Sequence, residues 1–127
     1  MLRTIYTDKA PKAIGPYSQG TQFNDIIFLS GQIPVDPATN EVVESDIVVQ
    51  THQVMTNIKS ILKNEKLTME NIVKTTIFVK NLEQFSIINE VYGSYFGSHR
   101  PARSTVEVSR LPKDVLIEIE VIAAKNR

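Results

Sequence analysis

Two stretches of the sequence hold side chains able to grip and convert a small charged molecule. The segment "PARSTVEV" (101–108) opens on Arg103, whose guanidinium keeps its charge in any cleft and presents a fork of N–H donors matched to a carboxylate. The segment "VLIEIEVIA" (115–123) sets Glu118 between Ile117 and Ile119, and apolar flanks raise a carboxyl pKa toward acid–base use. Each has a plainer reading: a solvated charge at the start of a strand for Arg103, a cross-strand ion pair of small value for Glu118. Tyr17 in "GPYSQ" follows Gly15-Pro16, which restricts its backbone; it is either a packed loop aromatic or a ligand contact. Ser30-Gly31 closes the run "IIFLSG", as a strand-ending turn or as a place where backbone approaches a ligand closely.

Other chemistries have no support. His52 and His99 have no partner histidine at metal-ligand spacing, so no metal site is expected. The serines lie outside any G-x-S-x-G elbow, and five glycines form no phosphate loop. The sequence has no cysteine, which removes thiol nucleophiles, thiolate metal sites and disulfides. Lys12, Arg100, Arg103 and Arg110 are candidates for a basic patch, yet 14 Lys and Arg balance 14 Asp and Glu. A neutral chain without a recognisable nucleic-acid motif is not expected to bind nucleic acid. The N-terminus lacks an apolar signal core, and no run approaches the roughly 18 apolar residues of a membrane span. A soluble, cytoplasmic protein is therefore expected. With 127 residues, 42% of them hydrophobic and 22% charged, the chain reads as one folded domain over 1–127 with a real core.

The elements that position these residues follow from periodicity. Strands are expected at Arg3 to Tyr6, Gly20 to Phe23 and Ile26 to Ser30, the last two joined by an Asn24-Asp25 hairpin turn. Thr7 to Gln19 is an ordered loop, and Gln32 to Glu44 a connection with turns in which Asn40 tolerates the left-handed conformation. Ser45 or Asp46 caps a helix to about Glu65 whose inward face carries Ile47, Val54, Met55, Ile58, Ile61 and Leu62. "VKTTIFVK" (73–80) alternates as a strand. Asn81 starts a second helix, with Gln84 reaching back in a capping box and Phe85, Ile88, Tyr92 and Phe96 along it; Gly97 ends it. In the last two strands Arg103, Thr105 and Glu107 share one face, as do Leu116, Glu118, Glu120 and Ile122. The class is α+β: two helices on one face of a mostly antiparallel sheet. The other face mixes Lys, Thr and Glu with Phe78, Leu116 and Ile122, which points to a second chain as its cover.

The segments "GPYSQ", "SGQIP", "QTHQVMTNIKSIL", "INEVYGSYF" and "PARSTVEVSRLPKDVLIEIEVIA" together resemble the reactive intermediate deaminase family (Rid, or YjgF/UK114) over essentially the whole chain. The resemblance implies a chorismate-mutase-like fold, a homotrimer with clefts between subunits, and hydrolysis of 2-imino or enamine acids, such as 2-aminoacrylate, 2-iminopropanoate and 2-iminobutanoate, to 2-oxo acids and ammonia without a cofactor. It implies that Arg103 grips the substrate carboxylate and Glu118 stands beside the attacking water. It also implies that Tyr17, from the neighbouring subunit, Ser30, Gly31 and Asn89 contact the substrate. Thr105, where relatives usually carry cysteine, joins that set, and "GSHR" before "PARS" is shorter than in many relatives. The alternative function is a non-catalytic regulatory or chaperone-like protein that binds small molecules in the same cleft.

Overall fold

The computed structural model describes residues 1–126. Strands β1 (Leu2–Ile5), β2 (Gly20–Phe23) and β3 (Ile26–Gln32) form an antiparallel meander. The Asn24-Asp25 turn between β2 and β3 forms as expected, with Asn24 at φ 55°. The connection that follows is more regular than its prolines suggested: β4 (Val35–Asp36) and β5 (Glu41–Val42) pair as a small separate hairpin, with Asn40 at φ 63°. Helix α1 (Ile47–Asn64) is capped by Asp46, whose carboxylate accepts from the Val49 N–H at 2.9 Å. Then come β6 (Ile72–Val79), α2 (Phe85–Gly93), β7 (Ala102–Glu107) and β8 (Ile117–Ala124).

The main sheet has the order β1-β2-β3-β8-β6-β7. Every pairing is antiparallel except β6 with β7, which the crossover through α2 makes parallel. Alternate residues Ile77 and Val79 of β6, and Ile117, Ile119 and Val121 of β8, are buried on the helix-covered face. They meet Val54, Met55, Ile58 and Ile61 of α1 and Ile88 of α2 in one core. The opposite face carries Lys74, Thr76, Phe78, Glu118, Glu120 and Ile122, with Phe28 44% and Val106 41% exposed.

Two expectations about α2 need correction. Asn81 does cap, accepting from the Glu83 N–H, but it caps a 3-10 turn over Leu82–Gln84 and no capping box forms. Glu107 of β7 reaches across to accept from the Leu82 N–H at 2.9 Å. These orphan donors are thus satisfied before the α-helix begins at Phe85. At the other end α2 stops at Gly93, and turns carry the chain to Gly97, which takes φ 61°. Strand β3 also differs, running through Ser30 and Gly31 to Gln32 with a register irregularity between Leu29 and Gln32.

Candidate functional site

Arg103 lies on β7, the strand that closes one edge of the sheet, in register with Thr75 of β6. The polar face of β7 is the one turned toward α2. There Arg103 Nη1 donates to Asn89 Oδ1 at 2.7 Å, and its guanidinium carbon sits 5.2 Å from the ring centres of both Phe85 and Tyr92. Phe85, Asn89 and Tyr92 fall at i, i+4 and i+7 of α2, one stripe of the helix surface. The Tyr92 hydroxyl shares a 2.8 Å hydrogen bond with buried Thr75 Oγ1. Burial pushes the Tyr92 phenol pKa up against the smaller opposing effects of that bond and of Arg103, so the ring stays neutral. Among the described residues Arg103 has no carboxylate partner within ion-pair distance. A cleft beside it is completed by His99, Arg100 and Pro101. His99 Nε2 donates to the Ile72 carbonyl at 2.8 Å. Two residues along β7, Thr105 carries a buried hydroxyl with no hydrogen-bond partner.

Glu118 stands on the other face of the sheet, opposite Phe78 of β6. Its carboxylate occupies the space over Gly31: a β-carbon at Gly31 would fall 2.1 Å from Glu118 Oε2. Gly31 has no left-handed backbone; a side chain there would have to push the end of the Glu118 side chain aside. Burial raises the Glu118 pKa above the ordinary carboxylate value, and the charge of Glu120 adds to the shift. Gly31 also lines a cleft with Tyr17, Ile33 and Lys113. Tyr17 is 55% exposed there, after Gly15 at φ 123°. Ser30 ties the strand to this loop, its hydroxyl donating to the Ser18 carbonyl at 2.6 Å and its N–H to the Gln19 carbonyl at 2.9 Å.

The residues singled out in the sequence thus fall into two separate groups. Arg103, Asn89 and Thr105 occupy the α2 side at the β7 edge. Glu118, Gly31, Ser30 and Tyr17 occupy the β3–β8 side, and a single chain does not bring the two together. Several supporting residues escaped the sequence reading. Gln19 is buried, accepts from the Thr7 N–H at 2.7 Å and donates to the Thr7 and Pro11 carbonyls, which pins the loop bearing Tyr17. Phe85 and Tyr92 were legible only as an apolar stripe. The available signal was the Asn89 between them, a polar residue on that same stripe.

Known proteins match over nearly the full length. A family profile described as Endoribonuclease L-PSP matches residues 7–125. A RutC family protein of Pyrococcus horikoshii is 52% identical over 126 residues, covering 99% of this chain and all of that protein. The 2-iminobutanoate/2-iminopropanoate deaminase of Escherichia coli is 50% identical over 129 residues, 99% of this chain and all of the enzyme. The crystal structure of YyfA from Yersinia pestis, described as a protein of unknown function of the conserved Rid protein family, superposes with a TM-score of 0.96 at 52% identity. That match covers 98% of this chain and 100% of the other. The chain therefore belongs to the Rid (YjgF/UK114, L-PSP) family, as its motifs, its α+β fold and these relatives agree.

Proposed function

We propose that the protein hydrolyses short-lived 2-imino and enamine acids to 2-oxo acids and ammonia, in clefts formed where chains meet in a homotrimer. The observation that carries this reading is the Arg103 guanidinium, exposed and fixed by neutral partners only. Such a cation is a ready receptor for a carboxylate. The deaminase named for the Escherichia coli relative supplies the substrate class.

The chemistry needs little beyond positioning. A protonated imine carbon is already electrophilic, so a held water and a proton acceptor suffice. Arg103 binds the carboxylate and orients C2. Glu118, ionised but with a raised pKa, takes a proton from water as the new C–O bond forms, giving a tetrahedral carbinolamine. It then returns that proton to the amine; the C–N bond breaks as the oxygen lone pair forms the carbonyl of the 2-oxo acid, and the hydroxyl proton passes through the Glu118 carboxylate to the released ammonia, which leaves as ammonium. An enamine first takes a proton on carbon to become the imine. No metal or organic cofactor enters this scheme. Tyr17, Gly31 and Ser30 shape the half-site around Glu118, and Thr105 belongs to the Arg103 half-site, two residues along the same face of β7.

Because Arg103 and Glu118 occupy opposite sheet faces, both can reach one substrate only if they come from different subunits. The mixed sheet face with Phe28 and Val106 supplies a surface for that assembly. The proposed location is the cytoplasm, beside the amino-acid-metabolising enzymes that generate such substrates. The test is release of ammonia and 2-oxo acid from 2-aminoacrylate generated in situ, measured against the spontaneous rate. Acceleration abolished by Arg103→Ala is expected. Saturable binding of 2-oxo acids without acceleration would replace the enzyme by a binding module using the same cleft.

A further inference from the structure

The surroundings of Arg103 carry an inference about what makes this site select anions, and it rests on the carboxylate-binding reading above. We infer that Phe85, Asn89 and Tyr92 form a charge-neutral cradle that fixes the Arg103 guanidinium while leaving its positive charge uncompensated, and that Asn89 is a positioning residue whose neutrality sets the affinity for carboxylates.

A long side chain at a sheet edge loses rotamer freedom when it is held, so an oriented arginine needs partners. A carboxylate is the usual one, and it would cancel the charge that the substrate must find. The chain instead uses an amide oxygen at 2.7 Å and two aromatic faces at 5.2 Å. Ring quadrupoles hold a cation without neutralising it. Asn89 engages Nη1, which leaves the remaining N–H donors of the fork for a ligand. The cradle is itself braced: Tyr92 is tied to Thr75, and Thr75 is the register partner of Arg103. The ring and the arginine are therefore indexed to the same pair of strands.

The acids closest in sequence are directed elsewhere. Glu107 shares the Arg103 face but is spent on the Leu82 N–H, about 13 Å further along β7 by the rise of a strand. Glu90 adjoins Asn89 but lies off the stripe, since neighbouring positions on a helix do not face the same way.

The decisive variant is Asn89→Asp, which keeps shape and the oxygen facing Nη1 and adds one negative charge. It is expected to fold, assemble and hold Arg103 at least as firmly, with an unchanged or higher Tm. KM for the imino acid should nevertheless rise on the order of 10- to 100-fold with kcat little altered, because half of a desolvated charge pair is pre-empted. Affinity for 2-oxobutanoate, measured by calorimetry, should fall by the same factor. Phe85→Leu should raise KM several-fold, and Phe85→Tyr, which restores the ring face, should recover most of it. Wild-type KM and 2-oxobutanoate affinity in folded Asn89→Asp, with Arg103→Ala strongly impaired, would overturn this inference alone. An Arg103→Ala variant with full activity would instead remove the carboxylate-binding reading on which it stands.

Discussion

Arg103 and Glu118 stand on opposite faces of one sheet, on β7 and β8, with β6 between them. Arg103 pairs with Thr75, which buries its hydroxyl against α2, whereas Glu118 pairs with Phe78 on the face that no helix of the chain covers. Strand geometry sends successive side chains to alternate faces, so this separation is fixed by register and survives any side-chain rotation. A site using both residues is a site between chains.

Arg103→Ala is expected to lower kcat/KM by roughly 30-fold to several thousand-fold, the range for losing one partner of a desolvated, charge-assisted pair, about 2 to 5 kcal/mol. Arg103→Lys should recover only part, because a point charge cannot reproduce the fork. Circular dichroism should show an unchanged fold. Steady-state kinetics on an imino acid decide the matter: a folded alanine variant with wild-type turnover would make Arg103 an ordinary edge charge.

Glu118 predicts a pH signature. As the proton acceptor it must be ionised, so kcat/KM should fall as pH drops through a pKa above the usual glutamate range, raised by burial and by Glu120. Glu118→Gln should lower kcat by about 10² to 10⁴ and abolish that limb. Stability moves the other way. The folded chain binds the Glu118 proton more tightly than the unfolded chain, so stability falls as pH rises between the two pKa values, and the loss persists above them. Glu118→Gln should therefore raise Tm at neutral pH and give no gain below the unfolded pKa. A thermal-shift series across pH, run beside the kinetics, checks both signs.

Gly31→Ala tests the placement of that carboxylate. The added methyl would lie 2.1 Å from Oε2, and the end of the Glu118 side chain moves more readily than the strands. The expected variant is folded and assembled, with kcat down on the order of 10- to 100-fold from a displaced proton acceptor. Unaltered kcat with a normal pH profile would mean that the position of Glu118 over Gly31 has no part in the reaction.

Much of the frame was legible because local rules and the fold agree. Alternation in 115–123 and 73–80 gave buried and open faces, and the Asp46 cap and the Asn24-Asp25 turn appear as written. What the sequence hid depends on partners far along the chain. The acceptor for the Leu82 N–H is Glu107, which lies 25 residues beyond Leu82 and becomes its neighbour only through the parallel β6–β7 pairing. The same pairing turns the polar face of β7 inward toward α2, so Phe85 and Tyr92, legible as core, become the bed of Arg103. Arg103 and Glu118 were both visible as candidates. Their placement on opposite faces was not, because parity within each strand says nothing of how two strands are registered.

The most direct test of an intersubunit site is complementation between two inactive variants. Arg103→Ala and Glu118→Gln chains, co-expressed in equal amounts or refolded together, assemble mixed trimers. If each site takes Arg103 from one chain and Glu118 from its neighbour, random assembly leaves about one quarter of sites with both residues intact. The account predicts that the mixture regains about that fraction of wild-type kcat per site, while each variant alone stays inactive. A mixture no more active than its parents, with mixed trimers confirmed by mass spectrometry, would contradict it.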